Sequence, residues 1–429
     1  MSRRFSRARG AWQASLVPQA GTGRNVPMLM IDGGCAKKSI GGANCMESSG
    51  NNTGGVIAFP SDWADPNLTT WDRVGPTTWH PCNASAWPSP IWLNPVSHKY
   101  NLLAVHGAGE ARFEATDESF LSWKLVDPAF VTGIRGLGGG MWHELPPNVD
   151  GVAGGRWATH VMQGALGSAF NGLPTFIMGV YDARTDSFRN VSKPMLLDAG
   201  GGVDYGQLSW TDTIADRRTL FVSWLRLTEA TPPDCGTQGQ LTAVRDVRYD
   251  PRIDRLVHQP IAEYFALRAP SPLFEQSHLV LEAGAPPATL YAAAAGSDGG
   301  ISMDAELNVS IPTSLGAATV TLAVRCADVA HCAGGASITL ALGPAQPDGT
   351  RHVDMHVDYA YHISVGFTLL GGESSLPLRV LSDTRSLEIF AGFGRAATSV
   401  TMLSTAGSVT ASANTADVEV SAAAWTMAL

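Results

Sequence analysis

Residues 176–188, FIMGVYDARTDSF, decide how the rest of the chain is read. A strand-length apolar run ends in turn-forming Asp residues, the local signature of a short β-strand and its turn. The same texture runs upstream through VPMLMID, GGVIAFP, SPIWLNP, YNLLAVHG and THVMQG, and downstream through TLFVSWLRL and LTAVRDVRYD. Helical periodicity is almost absent. Regular units of this sort suit propeller blades, although a sandwich or a barrel gives similar local signals.

Around 263–285 the texture changes. Beyond it lie longer alternating segments, among them SITLALG, VDMHVDYAYHISVGFTLLGG, LPLRVLSD and SLEIFAG. Alternation of this kind places two sheets face to face across a core, so the second part is expected to be a β-sandwich. The expected division is a disordered segment at 1–25, a first all-β domain at 26–268 and a C-terminal β-sandwich at 272–429.

Composition agrees with an all-β, turn-rich protein: 46 Gly and 26 Pro in 429 residues, with only 16% charged. A net charge of −9 without a basic stripe argues against a nucleic-acid partner. No apolar run is long enough to span a membrane. The N-terminal MSRRFSRARGAWQASLVPQ is basic with no apolar stretch behind it, so it does not read as a secretory signal. The interior points outward nonetheless. Sequons begin at Asn51, Asn67, Asn83, Asn190 and Asn308, and Cys35/Cys45 and Cys326/Cys332 are close enough to close small disulfide loops. An exported protein whose true N-terminus lies outside this sequence is expected.

Residues 138–150, GGGMWHELPPNVD, carry the best-placed carboxylate, Glu144. Pro146 and Pro147 forbid a helix there and leave Glu144 on extended or looped backbone. Its neighbours Trp142 and Leu145 suggest partial desolvation, which would raise its pKa toward that of a general acid. Other candidate acids are Asp32, Asp65, Glu110, Glu114, Asp117, Glu118, Asp150, Asp204 and Asp212; Asp204 follows three glycines, as a residue near the mouth of a site can. His143 and His160 have no second metal ligand at a recognisable spacing. His352, Asp354, His356 and Asp358 alternate and so share one strand face, but such positions spread along the strand and read as a solvent-facing row, not a metal site.

The order FIMGVYDARTDSF, LLDAGGGVDYGQLSWTDTIADRRTLFVSWL, QLTAVRDVRYDPRIDRLVHQPIAEYFALR resembles the propeller of glycoside hydrolase family 32, the invertases, levanases, inulinases and fructosyltransferases. Near the C-terminus, LPLRVLSDTRSLEIFAGFGRAATSV looks like that family's sandwich signature, with Asp383, Glu388 and Phe390 in their expected relative places. The resemblance runs from about Val26 to Trp425. It implies a five-bladed β-propeller followed by a β-sandwich.

It also implies a retaining mechanism in which an Asp attacks the anomeric carbon of a fructosyl unit and a Glu serves as acid, then base. The family's Glu-Cys-Pro segment falls on Trp142–Pro146, which makes Glu144 the acid/base, with Leu145 in place of the Cys and His143 as an extra residue. The Arg-Asp-Pro segment falls within 83–92, where Ala86 and Trp87 take the Arg and Asp places. A Trp offers one donor and no acceptor, so Trp87 cannot make a carboxylate's paired hydroxyl contacts. The nucleophile's Asn-Asp-Pro-Asn-Gly motif is not found; Asp65-Pro66-Asn67 has its central letters, but in a second-blade context, and Asp32 is a looser lookalike. The first blade is therefore expected to be missing.

Around a bound sugar the resemblance puts Trp87, Trp142, His143, Asp204 and Tyr205. The expected partner is a small carbohydrate, sucrose or a fructan, with no cofactor and no metal. The implied location is secreted, cell-wall or vacuolar. A non-catalytic sugar-binding or cell-surface protein that kept the fold and lost the site is the rival reading.

Overall fold

The computed structural model describes residues 13–18, 25–34, 53–62, 65, 67, 69–76, 78–79, 89–106, 109–133, 137–149, 155–164, 173–196, 198–200, 204–211, 218–226, 239–292, 302–312, 314–326, 332, 335–359, 362–383, 385–401, 407–414 and 417–427. The chain forms two compact units, Met1–Leu197 with Tyr205–Ser223, and Asp198–Asp204 with Trp224–Leu429. By compactness it therefore divides near 197–224, upstream of the boundary at 268–272 drawn from sequence.

The first unit opens with a four-stranded antiparallel sheet of β1 (Gln13–Pro18), β2 (Asn25–Gly34), β3 (Thr53–Pro60) and β4 (Trp71–Pro76). Strand β1 corrects the expectation of disorder over 1–25: Gln13–Pro18 pairs residue by residue with Asn25–Met30, which holds it as the edge strand of the sheet. Next come β5 (Thr78–Trp79), β6 (Trp92–Leu93), β7 (Tyr100–His106), β8 (Gly109–Ala115) and β9 (Ser122–Thr132) in the order β5-β9-β8-β7-β6. A third sheet takes β10 (Leu137–Leu145), β11 (Arg156–Gly164), β12 (Leu173–Asp182) and β13 (Ser187–Asn190) in sequence order, with β14 (Met195–Leu196) on β12. Strands β15 (Asp204–Thr211), β16 (Thr219–Arg226), β17 (Gly239–Leu241), β18 (Arg245–Asp250) and β19 (Arg255–Pro260) follow.

These are propeller blades. Among the described residues, four groups of strands precede the sandwich, where the resemblance implies five blades. Two of the blade hairpins share one turn chemistry. Tyr181-Asp182-Ala183-Arg184-Thr185-Asp186 and Tyr249-Asp250-Pro251-Arg252-Ile253-Asp254 are the same turn twice. In each the Tyr hydroxyl donates to the last Asp at 2.6 Å, and that Asp has φ near +50°. The first Asp of each accepts the N–H two residues on.

Apolar side chains from neighbouring blades fill the spaces between them. Phe59 and Leu93 join Tyr100, Leu102, Phe113, Phe120 and Trp123 in one cluster. Trp92, Leu103, Phe130, Val131, Trp142 and Ile177 form another, with Trp157, Tyr181 and Phe188 against it.

A 3-10 turn at Ala262–Leu267 leads into the sandwich. Its first sheet has the order β20-β31-β22-β27-β28-β29, from Phe274–Leu281, Val418–Thr426, Met303–Ser310, Ser375–Ser382, Ser386–Ala391 and Ala396–Thr401. The second has the order β21-β30-β23-β24-β25-β26, from Ala288–Tyr291, Val409–Ala413, Ala318–Val324, Ala336–Leu342, Arg351–Asp358 and His362–Leu369. The alternation legible in sequence is the cause: in β23 and β24 every second side chain is buried, and these meet the inward residues of the other sheet in one core. Cys326 and Cys332 are joined as a disulfide; Cys35 and Cys45 lie outside the described residues.

Candidate active site

Glu144 is the penultimate residue of β10, so the extended backbone expected from Pro146 and Pro147 is present. Alternation puts Trp142 and Glu144 on one face of the strand and His143 on the other. The Trp142 indole is 2% exposed and enclosed by Trp92, Phe130, Trp157, Tyr181 and Phe188, with ring centroids 5.0–5.7 Å away. This corrects its expected place among substrate-binding residues: no ring face is left for a sugar. It anchors the strand instead. Glu144, in contrast, is exposed, which corrects the expectation that Trp142 and Leu145 desolvate it. Both neighbours turn into the packed interior and leave the carboxylate in water.

Across the ladder, Glu144 is paired with Trp157 of β11. Facing pairs have Cβ atoms roughly 4.5–5.5 Å apart. Trp157 is half-buried, backed by Trp142 at 5.0 Å and by the edge of Tyr181 at 5.0 Å. Gly155 permits this closeness, since a Cβ there would lie 2.2 Å from the Leu145 carbonyl oxygen and 3.1 Å from the Glu144 Cγ.

The opposite face of β10 meets β15. His143 Nε2 lies 3.0 Å from Ser209 Oγ, and Nδ1 lies 3.2 Å from Thr211 Oγ1. His160, fully buried, is 3.2 Å from the Gln207 amide oxygen. Burial pushes both imidazoles down to about 4, against the hydrogen bonds they donate to Ser209 and Gln207, so both are neutral near neutral pH. His143 thus holds β10 to β15 through both ring nitrogens.

Asp204 and Tyr205 open β15. Trp87, Asp150 and Asp212 lie outside the described residues. Several other candidate acids have structural duties. Asp65 accepts the N–H groups of Asn67 and Thr69 and the Thr69 hydroxyl, and those bonds hold its pKa down. Asp117 does the same with Ser119. Glu114 pairs with Lys124 at 2.8 Å. Glu110 is sealed from water and receives a 2.6 Å bond from the Thr159 hydroxyl; burial pushes its carboxyl up to about 8, with that bond opposing.

In the second unit, Glu388 and Phe390 of the sandwich signature surround a buried cation, Arg245. Arg245 reaches Asp198 and Glu388 at 2.8 Å each, donates to the Ser399 hydroxyl and lies over the Phe390 ring. Burial works against the Asp198 carboxylate, but the adjacent Arg245 charge prevails and holds it low; for Glu388 burial prevails and its pKa is raised. Asp383 accepts a bond from Ser302. The row His352, Asp354, His356 and Asp358 shares one outward face, with His352 paired to Asp354 and His362 to Asp358. No group of three or more His, Cys, Asp or Glu among the described residues is arranged to hold a metal ion.

No protein-family model matches the chain, and no curated protein matches it in sequence. Solved structures do. Fructan 1-exohydrolase IIa from Cichorium intybus, also seen in complex with 1-kestose, aligns at 16% identity and a TM-score of 0.72 over 97% of this chain and 83% of that one. Exo-inulinase from Aspergillus awamori aligns at 14% identity and a TM-score of 0.66, over 96% and 80%. Sucrose-6-phosphate hydrolase from Lactobacillus gasseri aligns at 15% and 0.61, over 94% and 76%. The fold is therefore that of the glycoside hydrolase family 32 fructosidases, propeller and sandwich together.

Proposed function

We propose that this protein is a divergent glycoside hydrolase of the β-fructofuranosidase type, with sucrose or a fructan as its substrate class and Glu144 as acid/base. The observation that carries the proposal is the likeness of fold to fructosidases over almost the whole chain. The exposed position of Glu144 at the end of β10 supports its role, since a general acid must reach the glycosidic oxygen. Its proton passes to that oxygen as the bond to the anomeric carbon breaks. In the retaining route a second carboxylate takes the fructosyl unit, and water later releases it and returns a proton to Glu144.

Among the described residues that second carboxylate has no assignment, since Asp65, Asp117, Glu110 and Asp198 are committed to turns, burial or ion pairing. Without a nucleophile, turnover is limited to a general acid's share of roughly 10²–10⁴-fold. The same commitments favour the second reading, a sugar-binding protein without turnover. Trp87 and Asp204 with Tyr205 remain part of the proposed sugar site. Passage through an oxidising, secretory route is supported by the Cys326–Cys332 disulfide.

The test compares wild type and Glu144→Gln on sucrose and on an activated aryl β-fructofuranoside. A lost general acid slows the poor leaving group and spares the activated one. Equal slowing of both substrates, or of neither, overturns the assignment of Glu144. Binding without any release of fructose selects the second reading.

A further inference from the structure

The fructosidase reading leaves the sequons without a role. Asn51 and Asn83 lie outside the described residues, and the other three differ in what the fold asks of their side chains. Asn190 closes β13, and its Nδ2 donates to the Thr132 carbonyl at the end of β9 at 2.8 Å. Ser192, the hydroxyl of the same sequon, accepts the Met178 N–H at 2.9 Å. Both side chains are half-buried and act as a clasp between strands. A sugar on the Asn190 nitrogen would crowd the Thr132 carbonyl and loosen that clasp.

Asn308 is the opposite case. It lies on β22, the third strand in its six-stranded sheet, although asparagine is a poor strand former. Leu307 and Val309 on either side turn into the sandwich core, so alternation points Asn308 outward. It is exposed, and its side chain makes no hydrogen bond among the described residues. Its cross-strand neighbours, Ser421 and Pro377, are too short to fold over the amide. Asn67 is likewise exposed and unbonded at its side chain, while Asp65 holds its backbone and the Thr69 hydroxyl in a turn. We propose that Asn308 and Asn67 are N-glycosylation sites and that Asn190 stays bare. At each site Nδ2 gives up a proton and bonds to the anomeric carbon of an oligosaccharide, whose lipid diphosphate departs with the bonding electrons. The inference rests on the secretory route proposed above and adds its acceptor residues.

The test is site mapping on the full chain, secreted from a glycosylating host behind an added leader. Peptide N-glycosidase in heavy-oxygen water converts each occupied Asn to a heavy-oxygen Asp, which peptide mass spectrometry locates. Asn308 and Asn67 are expected to carry the label and Asn190 to lack it. Asn308→Gln should remove one glycan from the intact mass. Should that variant fail to fold, Ser310→Ala deletes the same sequon, leaves Asn308 in place and should lose the same glycan. Ser192→Ala, which deletes the Asn190 sequon, should lose none. A glycan on Asn190, or a bare Asn308 or Asn67 in a secreted chain with the Cys326–Cys332 disulfide formed, overturns the site assignment alone. A retained chain with both thiols free and no label overturns the secretory route with it.

Discussion

Glu110 offers a perturbation whose size can be worked out beforehand. Its carboxyl is fully buried on β8, receives one bond from Thr159 Oγ1 at 2.6 Å, and has its second oxygen unpartnered. Burial raises its pKa from 4.5 to about 8. Between those values the folded protein holds a proton that the unfolded chain has released. The stability tied to this proton is thus complete below pH 4.5 and lost as pH rises through 8. Each pH unit costs about 1.4 kcal/mol in that window, so pH 5 to 8 removes roughly 3–4 kcal/mol. Glu110→Gln keeps the shape, still accepts from Thr159, and cannot ionise. Urea unfolding of both proteins at pH 5, 6, 7 and 8, followed by tryptophan fluorescence, isolates the effect. The variant is expected to gain on wild type by roughly 3–4 kcal/mol across the series. A difference that stays flat with pH would refute the reasoning, because it would mean Glu110 is hydrated or paired.

The buried imidazoles act in the opposite direction. The His160 pKa falls from 6.5 to about 4, so its contribution is intact above pH 6.5 and lost as pH falls toward 4. Acid melts of His160→Gln should accordingly lose part of the wild-type slope between pH 6 and 4, and an unchanged slope would count against this. Arg245→Met leaves Asp198 and Glu388 buried without their cation and should cost about 3–5 kcal/mol in urea unfolding, whereas a loss below about 1 kcal/mol would mean that water takes the cation's place. Mass spectrometry after alkylation should find Cys326 and Cys332 protected until reductant is added; labelling of both without reductant would contradict the disulfide.

What the sequence made legible was local. The alternation of SITLALG and VDMHVDY is visible because strand side chains alternate, and the observed burial follows it. The two prolines after Glu144 were sufficient to put it on extended backbone. The turn of Tyr181–Asp186 recurring at Tyr249–Asp254 was also there to be read, since the tyrosine, both aspartates and the arginine keep their spacing. Other features depend on register or on distant partners. Chain neighbours suggested that Glu144 is desolvated by Trp142, but Trp142 turns inward, and the residue beside Glu144 is Trp157, brought there by the β10–β11 ladder. Arg245 meets Asp198 and Glu388 across 47 and 143 residues, a juxtaposition no short motif announces. Strand β1 was hidden by its basic flank, and its partner β2 supplies the pairing that a five- or six-residue run cannot supply alone.

The fructosidase reading meets its most direct test in the release of fructose from sucrose by wild type and by Glu144→Gln under identical conditions. The carboxylate at the end of β10 is expected to give slow but measurable release, and the amide, which keeps the shape and has no proton to deliver, is expected to abolish it. Release by Glu144→Gln at the wild-type rate would contradict the account.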